Sequence, residues 1–145
     1  MSYVFNKLTF LMFFTLLIRF IALNFVGDAT IENEWRVILN NLSNFGSFAF
    51  RSFDGNLIPT VYMPPLYIFF LFALDSIKPE SIELVKLVIF IQILISTVSV
   101  LLFYKLNQFF FTHKISLIST VLFSFFPLNI YAATQVSSAT LHVFL

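Results

Sequence analysis

The chain has no cysteine, only three glycines in 145 residues, and few charges: Asp, Glu, Lys and Arg together make up 10%. Without cysteine there is no disulfide framework and no thiolate metal site. There is no glycine-rich phosphate loop and no serine elbow. Soluble domains carry about 25% charged residues, so a chain at 10% falls outside that class. Eight basic residues against seven acidic ones leave a net charge of +1, which removes the electrostatic case for nucleic acid as a partner. What is present is apolar. Hydrophobic residues make up 59%, with 22 phenylalanines, and the mean hydropathy is +0.95. Such a chain does not stay disordered. It reads as an all-α, polytopic membrane protein of about three to four spans.

A spanning helix needs about 20 mostly apolar residues. Residues 8–26 form the first such run, interrupted by Arg19 alone. It is too long for the apolar region of a signal peptide, and Asn24 to Asp28 make a poor cleavage site. Residues 84–106 form the second span, with Lys86 near its start and Gln92 inside, and 115–133 form the third, kinked or ended at Pro127. Residues 134–145 begin a fourth helix. The sequence thus reads as a single membrane domain, expected to be the N-terminal piece of a larger protein. Lys7, Lys105 and Lys114 flank the spans on one side, and all seven acids fall between Asp28 and Glu83. The positive-inside rule then puts the N-terminus in the cytoplasm and loop 27–83 outside it.

That loop is the polar part of the chain. Ile31, Trp35, Ile38, Leu39 and Leu42 lie at helical spacing, so 29–42 reads as an amphipathic helix that stops at Asn44-Phe45-Gly46. Asp54-Gly55-Asn56 is a turn signal. Pro64-Pro65-Leu66-Tyr67 opens an apolar run too short to span, so 65–74 reads as a short helix at the membrane surface. The tyrosines and Trp35 fall mostly near the interfaces, as an aromatic belt does.

Asp28 follows the first span directly, with Glu32 one turn on. A carboxylate there can act as a general base, bind a hard cation with other oxygens, or cap the helix that follows; capping is the commonest use. Arg19 is costly within a span, by about 2.5–3.5 kcal/mol at its centre. It can snorkel outward, pair with a loop acid such as Asp28, or meet substrate. His113 and His142 are too far apart in sequence to read as a ligand pair. The triplet Asn41-Leu42-Ser43 matches the glycosylation pattern but is too loose to carry weight.

The order of features is more specific than any one of them. Arg19, Gly27-Asp28 and Glu32 are followed by Asn40-Asn41-Leu42 and Gly46-Ser47-Phe48. Then come Tyr62-Met63-Pro64-Pro65-Leu66-Tyr67, a span, a basic turn, and Phe126-Pro127-Leu128-Asn129-Ile130-Tyr131 running on to Gln135-Val136-Ser137-Ser138. This succession resembles the N-terminal part of the GT-C membrane glycosyltransferases, the group that includes protein mannosyltransferases and bacterial aminoarabinose transferases. The resemblance covers about Leu11 to Leu141.

The resemblance implies transfer of a sugar from a polyprenyl-phosphate donor on the extracytoplasmic side, in a membrane such as the bacterial inner membrane. It gives Asp28 a base-like or acceptor-positioning role and makes Glu32 the acid one turn later. Membrane lipids and a lipid-linked sugar are the implied partners, with Arg19, Arg36 or Arg51 available to a donor phosphate. Tyr62 and Tyr67 fall in the segment that shapes the cavity. No cofactor is required, although some members use a divalent cation. Ala139 stands where the family often has a second acid. The other reading is a small non-enzymatic membrane protein, an assembly partner or a transporter piece, which needs only spans and an amphipathic loop.

Overall fold

A computed structural model describes residues 2–31, 33–51, 54–60 and 63–145, except for the side chains of 2–6, 33 and 51. The described chain is mostly helical. It divides into two compact units, one of residues 1–28 with 89–145 and one of residues 29–88.

The first unit contains α1 (Ser2–Val26), most of α4 (Leu84–Asn107), α5 (His113–Ser124), α6 (Pro127–Thr134) and the short α7 (Ala139–Phe144). Lys7–Val26 and Leu84–Asn107 are each long and apolar enough to cross a membrane. At about 1.5 Å per residue, the shorter of them reaches about 30 Å, the thickness of the hydrocarbon core. α5 and α6 pass the same test together, bent by 50° at the break before Pro127. The segment expected as a third continuous span, 115–133, is instead two helices bent at this break, a broken span or a re-entrant loop. Pro127 starts α6, where a missing N–H costs nothing. The Asn129 side chain donates to the Phe123 carbonyl at 3.2 Å, adding to the Phe126 N–H that the same carbonyl accepts at 3.4 Å, and so ties α6 to the end of α5.

Alongside apolar residues such as Leu11, Ile93 and Val100, this unit buries polar side chains and leaves large apolar ones exposed. Thr15 and Arg19 on α1, Gln92 and Ser96 on α4, and Ser116, Thr120 and Ser124 on α5 are buried. Phe10, Phe13, Phe25, Ile118 and Leu122 are exposed. The buried hydroxyls of α5 bond back to their own helix, Thr120 to the Ser116 carbonyl at 2.6 Å and Ser116 to that of Thr112 at 3.1 Å. Small polar residues allow helices to approach closely where lipid supplies no hydrophobic drive.

The second unit holds α2 (Asn33–Phe45), an antiparallel pair β1 (Ala49–Arg51) and β2 (Leu57–Pro59), α3 (Pro65–Ile77) and the start of α4. The apolar stripe of α2 points inward: Ile31, Ile38 and Leu39 are buried. Trp35 meets Tyr67 edge-on with ring centroids 4.9 Å apart. Gly46 closes α2 at φ 61°, its N–H on the Leu42 carbonyl at 3.0 Å, a left-handed stop that disfavours side chains. The Asn41 side chain is buried and donates to the Ala49 carbonyl at 2.7 Å, which ties α2 to β1.

Two expectations are corrected. The amphipathic helix begins at Asn33 and not at Ala29, because the chain bends at Ala29 and Thr30 after leaving α1. The loop also contains a short hairpin, Ala49 opposite Pro59 through Arg51 opposite Leu57, where only a turn was expected. Strands of three residues are too short to show an alternating pattern.

Candidate functional site

α1 ends at Gly27, whose N–H bonds the Leu23 carbonyl at 3.1 Å. A Cβ at Gly27 would stand 2.5 Å from that same carbonyl oxygen, so glycine is what permits the close exit. The next residue, Asp28, is bound to the segment after α6 at two points. Its backbone N–H donates to the Thr134 carbonyl at 3.1 Å, and its carboxylate Oδ2 accepts the Val136 N–H at 2.7 Å. Gln135 closes the seam from the other side by donating its side-chain amide to the Val26 carbonyl. Residues 108 positions apart are held as one corner.

A third helix fixes that corner. Gln92, buried in α4, donates to the carbonyls of Gln135 and Ser137, each at 3.1 Å. The irregular turn between α6 and α7 thus has its Gln135 and Ser137 carbonyls and its Val136 N–H satisfied by side chains of α4 and of Asp28. A cavity of about 400 Å³ opens beside the seam, lined by Asp28, Leu128, Tyr131, Gln135, Ser137 and Ala139 among others. Asp28 is the one acid among its lining residues. One carboxylate oxygen is anchored, and among the described residues Oδ1 takes no hydrogen bond. A carboxylate held this way is oriented yet keeps an acceptor site, as a general base must.

Asp28 does not cap α2, since that helix starts five residues later. Its capping is spent on Val136, far along the chain. From sequence Gln92 is only a polar residue inside an apolar run; its part in the corner depends on carbonyls more than 40 residues away.

Arg19 is fully buried. Nε donates to the Ser96 hydroxyl at 2.9 Å and Nη1 to the Thr15 carbonyl at 3.1 Å. Among the described residues it forms no ion pair, so it neither snorkels nor pairs with Asp28; it pins α1 to α4. Tyr67 is buried in the core of the second unit, against Trp35 and Phe70. Arg36 lies exposed on α2. Glu32 and Tyr62 lie outside the described residues, as does the side chain of Arg51. Among the described residues no three His, Asp or Glu side chains gather as metal ligands. The lining of the cavity beside Asp28 includes a single carboxylate, to which a hard divalent cation would need water or substrate oxygens added.

The fold and the inverted side-chain distribution define a mostly helical protein with two helices fit to cross a membrane, or three if the bent pair is one span. Compared with family models, curated proteins and solved structures, the chain matches none.

Proposed function

We propose that the chain is the catalytic-loop part of a membrane glycosyltransferase of the GT-C kind, using a polyprenyl-phosphate-linked sugar on the extracytoplasmic side. The observation that supports this reading most is the Asp28 corner. Two segments that belong to the resembling succession, Gly27-Asp28 and Gln135-Val136-Ser137, hydrogen-bond to one another beside a cavity. The chemistry follows from one carboxylate. Asp28 takes the proton of an acceptor hydroxyl, and the freed oxygen attacks the anomeric carbon. The bond from that carbon to the phosphate breaks, and the polyprenyl phosphate leaves with the electron pair. Attack opposite to departure inverts the anomeric centre.

The test is Asp28→Asn, with membranes assayed for transfer of labelled sugar from polyprenyl phosphate. Asparagine keeps an oxygen that can accept the Val136 N–H, so the corner survives while the base is lost. General-base loss predicts a fall of about 10²–10⁴-fold. Full activity in Asp28→Asn would overturn the assignment, and no transfer from any lipid-linked donor in wild-type membranes would favour a non-enzymatic membrane protein.

A further inference from the structure

The second unit contains a cavity of about 400 Å³ that the transferase reading does not use. One wall is α2, presenting Arg36 and, one turn on, Asn40; the other is the corner from α3 to α4, presenting Asp75 and Glu83. Ile31 and Leu39, both buried, form part of its apolar floor. Opposite charges thus line one hollow, yet they do not neutralise one another. Asp75 pairs with Lys78 at 3.7 Å and Glu83 with Lys86 at 2.9 Å, each with a neighbour three residues along its own segment. Neither lysine lines the cavity. Arg36 has no ion pair among the described residues.

We propose that this cavity binds a small zwitterion of the phosphoethanolamine class, with the phosphate at Arg36 and Asn40 and the ammonium at Asp75 and Glu83. A simple anion would meet two carboxylates, and a simple cation would meet the arginine; a ligand carrying both charges satisfies each wall. Guanidinium suits phosphate through its forked donors. The Glu83–Lys86 pair is exposed and the Asp75–Lys78 pair is part-exposed and long at 3.7 Å, so both are weak and a ligand ammonium displaces them at little cost. A two-carbon spacer lies over the apolar floor. The group can arrive free or as a phospholipid head.

The full chain in an uncharged detergent is titrated calorimetrically with O-phosphoethanolamine, inorganic phosphate and ethanolamine. The proposal expects O-phosphoethanolamine to bind at least about tenfold more tightly than either fragment. Arg36→Gln should weaken it by about tenfold, with Arg36→Lys retaining more, and Asp75→Asn with Glu83→Gln should reduce it to the level of phosphate. These side chains reach solvent, and unchanged helical circular dichroism in each variant separates lost binding from lost fold. Equal binding of phosphate and O-phosphoethanolamine by the wild-type chain overturns the proposal, as does the absence of saturable binding. Titration in phosphatidylglycerol nanodiscs with and without phosphatidylethanolamine then assigns the source. Competition by the lipid identifies a head group, an unchanged affinity identifies the free compound, and either outcome upholds the site. None of these readouts depends on sugar transfer.

Discussion

At the scale of single residues, two ionisable side chains stand out in the sequence, and the fold uses them in opposite ways. Asp28 is partly exposed, with one oxygen anchored on Val136. Arg19 is fully buried and holds two helices together. The cost of an arginine inside a span marks it as an anomaly from sequence alone. Its partner Ser96, 77 residues away, is not legible there, because Ser96 is one of several hydroxyl residues in α4 and only packing selects it. Ser96→Ala removes the acceptor for Nε without opening a large cavity, and should destabilise the chain by about 1–3 kcal/mol, measured as detergent-solubilised unfolding against denaturant. A loss below about 0.5 kcal/mol, the level of an ordinary interhelical hydrogen bond in membranes, would show that Arg19 is held by other means. Gln92→Leu is expected to act elsewhere. It frees the carbonyls of Gln135 and Ser137, so the 135–137 turn should gain hydrogen exchange while α1 keeps its protection. Unaltered exchange in the turn would remove Gln92 from the corner.

The elements were the most legible level. Apolar runs of spanning length placed α1 and α4 within a few residues of their observed bounds, except that α1 begins earlier, at Ser2, and the stripe from Ile31 to Leu42 marked the buried face of α2. These succeed because helix formation and face burial follow from residues three and four apart. Its start was misplaced because Asp28 looks like a local cap, and its carboxylate has a stronger claim from across the bundle. The hairpin was not legible for a related reason. Its pairing joins residues from 49 to 59 through a turn, and three-residue strands carry too little pattern. Gly46 gives an element-scale prediction. Its Cβ position is open, with nothing within 4 Å, so Gly46→Ala costs backbone strain alone, about 1 kcal/mol. Gly46→Asn should cost less, since asparagine tolerates the left-handed region. Equal thermal midpoints for wild type and Gly46→Ala would show that α2 ends without that conformation.

For the whole molecule, the informative fact is where the polar residues go. Within the first unit Arg19 and the hydroxyl residues Thr15, Ser96, Ser116 and Thr120 are buried while Phe10, Phe13, Phe25 and Phe109 are exposed, the reverse of what a protein folded in water favours. The ends of that unit also differ. Tyr104 hydrogen-bonds His113 at 2.6 Å beside Lys105 and Lys114, and Asp28 meets Val136 at the other end of the helices. Under the positive-inside rule, Lys105 and Lys114 predict that this end faces the cytoplasm. The absence of cysteine makes this directly testable, since single cysteines at Lys114 and Ala29 have no native thiol background. A membrane-impermeant thiol reagent added outside intact cells should label Ala29→Cys and spare Lys114→Cys until the membrane is opened. Labelling of both from the same side would overturn this orientation.

The sequence by itself determined that the chain has helices apolar and long enough to cross a membrane, where they lie, and which face of α2 is buried. All of these depend on composition and on spacings of a few residues. Only the tertiary structure decided which carbonyls Gln92 holds, which hydroxyl receives Arg19, and that Asp28 bonds to Val136 rather than to the helix just after it. Those choices are made among many chemically equivalent donors and acceptors. Proximity across 43 to 108 residues selects between them, and that proximity exists only once the helices have packed.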